Sequence, residues 1–228
     1  MNYYTNIFIK KYNSIVSKVF YGIFQIKYFC ESCGENIQYK YFKYINLNTT
    51  KYSLYIKDKD SDLNNSLVYY YLDDLIEFYF NDKNYNIKCK NCKKPNKLIE
   101  KKIIRFPDIL IFRIQWKEFN NEKGFMSEEN WLDSNKLIFD DLEIMDLSKF
   151  SVNNNNNKEI KYKLNNVINY GVINKNNQSE IAWQTFIAFC RHLKFGDFYI
   201  YSPNGTLSEM KKFNRKRFTP SVLFYKKL

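Results

Sequence analysis

Four of the five cysteines in this 228-residue chain fall into two Cys-x-x-Cys pairs, Cys30 with Cys33 and Cys89 with Cys92. A tight turn of that spacing lets two sulfurs reach one ion, and two such turns complete the tetrahedral thiolate set that zinc prefers. With four protein ligands no coordination position stays open, so the reading is one structural Zn2+ held by Cys30, Cys33, Cys89 and Cys92. Gly34 and Pro95 follow the two pairs, where the chain has to turn. The pairs lie 55 residues apart, too far for a compact zinc ribbon. The ion must therefore clip together two hairpins distant in sequence. Cys190 lies beyond Phe186 and Phe189 in a strand-like run and reads as a packed thiol rather than a nucleophile. His192 is the only histidine and reads as a surface residue.

The elements that must position these groups are mostly strands. Residues 22–29 alternate, with Phe24, Ile26 and Tyr28 on one side and Gln25 and Lys27 on the other, and lead directly into the first pair. Residues 39–47, 97–105, 109–114, 160–168, 184–191, 197–201 and 221–226 are further strand candidates. Leu72, Leu75, Ile76 and Tyr79 recur at helical spacing, with Asp73, Asp74 and Glu77 elsewhere on the wheel, which predicts one short amphipathic helix. Ser151 to Lys158 is Asn-rich and reads as a surface loop. One helix among many strands implies an α+β domain with a largely antiparallel sheet.

Composition narrows the function classes. Aromatics make up 19% of the chain and hydrophobic residues 45%, enough for a sizeable core. The formal charge of +12 comes mainly from lysines scattered among Asp and Glu, and only five basic residues are Arg. The one compact basic run is Lys211 to Arg217, so a zinc-dependent nucleic-acid-binding protein is a disfavoured alternative, with steep salt dependence as its signature. The strongest apolar run, Ile109 to Ile114, is interrupted by Arg113 and far short of the ~20 residues a membrane span needs. Residues 1–11 lack an apolar signal core. The expectation is a protein of the cytoplasm or nucleus, where paired cysteines bind metal rather than form disulfides.

The order of these features resembles the ubiquitin-specific proteases, the papain-like peptidases of family C19. The resemblance rests on Val19-Phe20-x-Gly22, the two knuckles, the helix over Leu72–Phe78, and Ile104-x-x-Pro107-x-Ile109-Leu110-Ile111. It continues through Leu142-x-Ile144-x-x-Leu147-Ser148, Tyr162-x-Leu164-x-x-Val167-Ile168-Asn169-Tyr170-Gly171, Phe186 to His192, and Val222-Leu223-Phe224-Tyr225. It implies zinc-bound β fingers over approximately 22–105 and a palm over approximately 106–228. Residues 19–228 then form one domain behind an N-terminal extension, 1–18, and the helical thumb is missing.

The same resemblance implies a lost catalytic centre. The family's nucleophilic cysteine belongs before the fingers, where only about eighteen residues stand and none is Cys. The general-base histidine aligns with Thr185, in Gln184-Thr185-Phe186, and a threonine hydroxyl cannot accept a thiol proton near neutral pH. The orienting acid aligns within Phe198 to Pro203, at Ser202, and the family's Leu-Lys-Arg-Phe strand end is altered to Ile114-Gln115-Trp116-Lys117. No catalytic residue is assigned. The expected function is a ubiquitin-binding or scaffold pseudoenzyme, with a protein partner over the thumb-facing palm surface. The alternative is one piece of an active deubiquitinase whose thumb is encoded elsewhere.

Overall fold

The computed structural model describes residues 14–59, 70–82, 87–89, 91–116, 137–138, 144–153, 159–173, 183–191, 198–201, 207–210 and 219–228. After a one-and-a-half-turn helix, α1 (Ile15–Phe20), strand β1 (Gly22–Cys30) hairpins onto β2 (Gly34–Phe42). β1 also pairs antiparallel with β6 (Pro95–Arg105), which carries the two-residue strand β5 (Ile87–Lys88) on its far edge. The resulting four-stranded sheet, in the order β2-β1-β6-β5, is the smaller of two large units.

Phe24, Ile26 and Tyr28 of β1 are all buried on one face, as the alternation predicts. That face packs on helix α3 (Leu72–Asn81). Phe24 stacks on Phe42 with centroids 4.1 Å apart and meets Phe80 of α3 edge-on at 6.1 Å. The opposite face carries Lys27, paired with Glu100 at 3.1 Å, together with Phe29, Ile37 and Tyr41, each at least 40% exposed.

The close packing at the base of β1 requires a glycine. Gly22 lies opposite Phe42, and a Cβ there would fall 2.1 Å from the Phe42 ring. That ring is buried and stacked on Phe24, so it has little room to move. Gly22→Ala should therefore destabilise the chain by roughly 1–3 kcal/mol, the usual cost of overpacking a filled core. Chemical denaturation should show a lower midpoint, and the Gly22→Ala/Phe42→Leu double variant should recover part of the loss.

The larger sheet has eight strands. Its main path is β13 (Leu207–Met210), β12 (Phe198–Tyr201), β11 (Trp183–Arg191), β10 (Lys161–Ile173), β14 (Pro220–Lys227), β7 (Ile109–Gln115) and β3 (Ile45–Asn48), with β9 (Ile144–Asp146) pairing on β10. All pairings are antiparallel except β3 on β7. A separate two-stranded parallel sheet joins β4 (Tyr70–Tyr71) to β8 (Leu137–Ile138). Leu110, Phe112 and Ile114 of β7, Val167 of β10 and Leu223 of β14 form the buried face of the large sheet. They share one core with Leu72, Leu75, Ile76 and Phe80 of α3. The other face of the sheet keeps Ile111, Ile168, Ala188, Val222 and Phe224 only half-buried.

Two features depart from the sequence reading. The strand expected over 39–47 is two strands in different sheets, β2 and β3, and among the described residues the single helix becomes three. Helix α2 (Thr49–Lys59) was hidden because Leu54 and Tyr55 are exposed, which blurs the apolar stripe on which periodicity depends. On α3 the buried set is Leu72, Leu75, Ile76 and Phe80 rather than ending at Tyr79.

One charged side chain sits between the fingers sheet and α3. Lys101 of β6 is 4% exposed, donates to the Tyr79 carbonyl in the last turn of α3, and lies 3.5 Å from the Tyr79 ring centroid. Both contacts suit a cation at a helix C-terminus. Burial nonetheless holds its pKa down to about 7, with Asp82 opposing the shift and Lys40 and Lys51 adding to it. An unfolded lysine titrates near ~10.4, so between about 7 and that value the unfolded chain binds more protons than the folded one. Stability should rise with pH across this window and fall toward its lower end. The difference in unfolding free energy between the wild type and Lys101→Met, measured against pH, should show that slope.

Candidate metal centre

Each cysteine pair occupies the tip of a hairpin in the smaller sheet. Cys30 ends β1, and the Cys33 N–H donates back to the Cys30 carbonyl at 3.2 Å. Gly34 then takes φ +74°, a left-handed conformation natural to glycine. In the second tip Cys89 follows β5. Its N–H donates to the Lys94 carbonyl at 2.9 Å and its own carbonyl accepts from Lys93 at 3.0 Å. Lys93, which follows Cys92 as Gly34 follows Cys33, is also left-handed at φ +61°. The two knuckles therefore repeat one turn, and the second carries a side chain where the first has none.

The pairing of β1 with β6 sets these tips side by side, with Phe29 opposite Lys97 in the register. The four sulfurs lie within 4.8 Å of one another, and Cys30 Sγ meets Cys92 Sγ at 3.4 Å across the two hairpins. A tetrahedron with Zn–S bonds of ~2.3 Å has sulfurs ~3.8 Å apart, so the cluster is of the right size. Cys30 and Cys89 are buried, Cys92 is half-buried and Cys33 is exposed. Lys94 Nζ donates to Ser32 Oγ at 3.0 Å, a second link between the turns.

The electrostatics also suit a cation. Backbone N–H donors of Cys92 and then Asn91 hold the Cys89 thiol down to about 6. Its neighbour Cys33 is pushed up to about 12, first through its hydrogen bond with Cys92. Four thiols this close cannot all ionise beside one another without a positive charge among them. A dication relieves that repulsion and would release protons on binding. The chemistry and spacing of Cys30, Cys33, Cys89 and Cys92 thus fit a metal ion. Among the described residues no other group of three or more metal-ligating side chains converges.

The positions that the resemblance aligns with a catalytic centre are only partly described. Thr185 lies in β11, its backbone paired with Gly171 of β10. Cys190, in the same strand, is half-buried on the face away from the core, opposite Asn166 on one side and Tyr199 on the other. Ser202, His192 and the Lys211–Arg217 run lie outside the described residues. The sequence reading missed the Lys94–Ser32 link and the exposed row Phe29, Ile37 and Tyr41. The signal for that row was present in the aromatic and apolar residues on both faces of β1 and β2.

Residues 5–225 match the family model for ubiquitin carboxyl-terminal hydrolase. The chain belongs to that family. This ubiquitin-hydrolase domain has no match among curated proteins. Among solved structures it resembles a chain of the yeast SAGA DUB module carrying an Sgf73 variant, at 16% identity and a TM-score of 0.61, covering 100% of this chain and 46% of that one. It also resembles a chain of a Ubp8/Sgf11/Sus1/Sgf73 module bound to monoubiquitin, at 16% identity and a TM-score of 0.58, covering 94% and 42%. The corresponding module bound to ubiquitin aldehyde gives 15% identity and a TM-score of 0.60, covering 96% and 44%. At such identities the likeness establishes the ubiquitin-hydrolase fold alone. The chain spans about half the length of these structural relatives.

Proposed function

We propose that this ubiquitin-hydrolase-family chain is a non-catalytic, ubiquitin-binding module whose fingertip is braced by one structural zinc ion on Cys30, Cys33, Cys89 and Cys92. The observation that carries the reading is Thr185. Cys–His hydrolysis needs an imidazole within hydrogen-bond reach of the thiol and an acid to orient it. In this reading the position of that imidazole corresponds to Thr185 and that of the acid to Ser202, both within the chain itself. Four of the five cysteines are gathered at the fingertip, and Cys190 lies in a paired strand. Residues 19–228 form the working unit in this reading, with fingers near 22–105 and palm near 106–228.

Ubiquitin binding is supported by the free face of the fingers, where Phe29, Ile37 and Tyr41 stand beside the Lys27–Glu100–Lys102 ion pairs. An apolar row rimmed by charge suits a folded protein surface better than solvent. Two of the related structures hold ubiquitin or its aldehyde. The half-buried back face of the palm, with Ile111, Ile168, Val222 and Phe224, is where we place a protein partner.

The zinc-loaded chain, given a ubiquitin C-terminal reporter, should release no product above the uncatalysed background. Turnover that Cys190→Ser abolishes would overturn the reading. A second reading, one part of an active deubiquitinase, is favoured by the 46% coverage of the related chain. It requires turnover to appear when the remaining portion is supplied, and Thr185 and Ser202 weigh against it.

A further inference from the structure

We propose that Cys30 and Cys92 form a specific redox modification site, a cross-hairpin disulfide that replaces the metal as the clip of the fingertip. Their sulfurs are in contact at 3.4 Å although the residues are 62 positions apart in sequence. Both belong to tips held by the β1–β6 ladder, so neither hairpin has to move as a whole. Closing the contact to a bond of ~2.05 Å needs a shift of only ~1.4 Å, within reach of side-chain rotation. Cys30 is buried and Cys92 is half-buried, so an oxidant reaches the pair from the Cys92 side.

The oxidant named here is hydrogen peroxide. The Cys92 thiolate attacks one peroxide oxygen and the O–O bond breaks, leaving a sulfenic acid and, after protonation, one water. The Cys30 thiolate then attacks the Cys92 sulfur, the S–O bond breaks, and the hydroxide leaves as a second water. Two thiols lose two electrons in total, and one peroxide gains them. Cys33 and Cys89 alone cannot complete a four-sulfur site, so a bound ion is released.

The choice of pair has a structural consequence. A bond between Cys30 and Cys33, or between Cys89 and Cys92, lies within one turn and leaves the two hairpins free of each other once the metal is gone. The Cys30–Cys92 bond joins the same two hairpins that the metal would join. Oxidation is then a change of clip, not a loss of one, and the free face of the fingers keeps its shape in either state. The cross-link rests on the Cys30–Cys92 contact alone, whereas the exchange of one clip for the other also rests on the zinc reading proposed above.

Glu31 lies between the cysteines of the first knuckle and Lys90 between those of the second, so trypsin with a Glu-specific protease places all four on separate peptides. The wild-type chain, its zinc content measured beforehand, is treated with one equivalent of peroxide and mapped without reduction. The expected product is the Cys30 peptide linked to the Cys92 peptide, with loss of two thiols per chain and of any bound zinc. After chelation the oxidised chain should retain the protease resistance of residues 28–36 and 91–98, and reduction should abolish it. Bonds confined to each knuckle, sulfinic acids in place of a bond, or no reaction would each overturn the proposal. A chain that binds no zinc yet forms the cross-link contradicts the metal reading alone, whereas one that binds zinc and oxidises only within its knuckles contradicts this inference alone.

Discussion

A chelator added to the zinc-loaded chain should unfold the tip of the fingers while the eight-stranded sheet stays folded. Structural zinc on thiolates contributes on the order of 10–16 kcal/mol in small metal domains, far more than any other contact at this tip. What remains without it is slight. β5 is two residues long and holds β6 through two residue pairs, Ile87 with Asn96 and Lys88 with Pro95. The second knuckle adds its backbone turn and the Lys94–Ser32 contact, which is exposed. Hydrogen exchange should therefore accelerate by orders of magnitude at residues 87–98 and at the first knuckle, and little in β7, β10 and β14. Cys89→Ser should reproduce the effect without chelator, since it removes a buried ligand. Acid should act in the same direction, because protons compete with the metal for thiolates. Unchanged exchange at the tip after complete metal removal would mean that the hairpins hold themselves.

The second large effect concerns the joint between fingers and palm. Phe80→Ala should destabilise the chain by about 3–5 kcal/mol, the range for emptying a buried phenylalanine site. Phe80 is 4% exposed in the last turn of α3. Its ring stacks on Phe150 at 4.1 Å, meets Phe24 of β1 at 6.1 Å and touches Tyr79 at 5.4 Å. Phe150 closes a 3-10 turn, Ser148–Phe150, so one ring connects the helix, the fingers sheet and the chain entering β10. The site has little means of collapsing, because its walls are secondary-structure elements fixed by their own ladders. Natural domains are stable by only about 5–15 kcal/mol, so the loss should be a large share of the total. Urea denaturation would show it as a lower midpoint. A change below about 1 kcal/mol would mean that the joint repacks freely.

Several parts of this structure were legible in the residues, and each had a local cause. The alternation of Phe24, Ile26 and Tyr28 marked a half-buried strand, and Leu72, Leu75 and Ile76 marked a helix with one apolar face. The paired cysteines gave a donor set whose convergence the β1–β6 pairing then realised. What stayed hidden depends on tertiary context. Helix α2 exposes Leu54 and Tyr55 and places Tyr52 against Asp74 and Phe78, contacts that exist only once α3 is in place. β3 pairs in parallel with β7 from a distance of more than sixty residues, which no local pattern encodes. Lys101 carried no sequence signal, since a lysine in a strand normally faces water. Its burial follows from α3 closing over that side of the fingers sheet. The exposed row Phe29, Ile37 and Tyr41 reads in sequence like any apolar strand, and only packing shows which face is left open.

In the function proposed above, the chain keeps its fingers and a grip on ubiquitin and lacks the residues of hydrolysis. The most direct measurement is a calorimetric titration of ubiquitin into the zinc-loaded chain, run beside Phe29→Asp/Ile37→Asp on the free face. Saturable binding that the double substitution weakens at least tenfold, a loss of about 1.4 kcal/mol, is the predicted result. Binding that is absent, or that the substitutions leave unchanged, would contradict it.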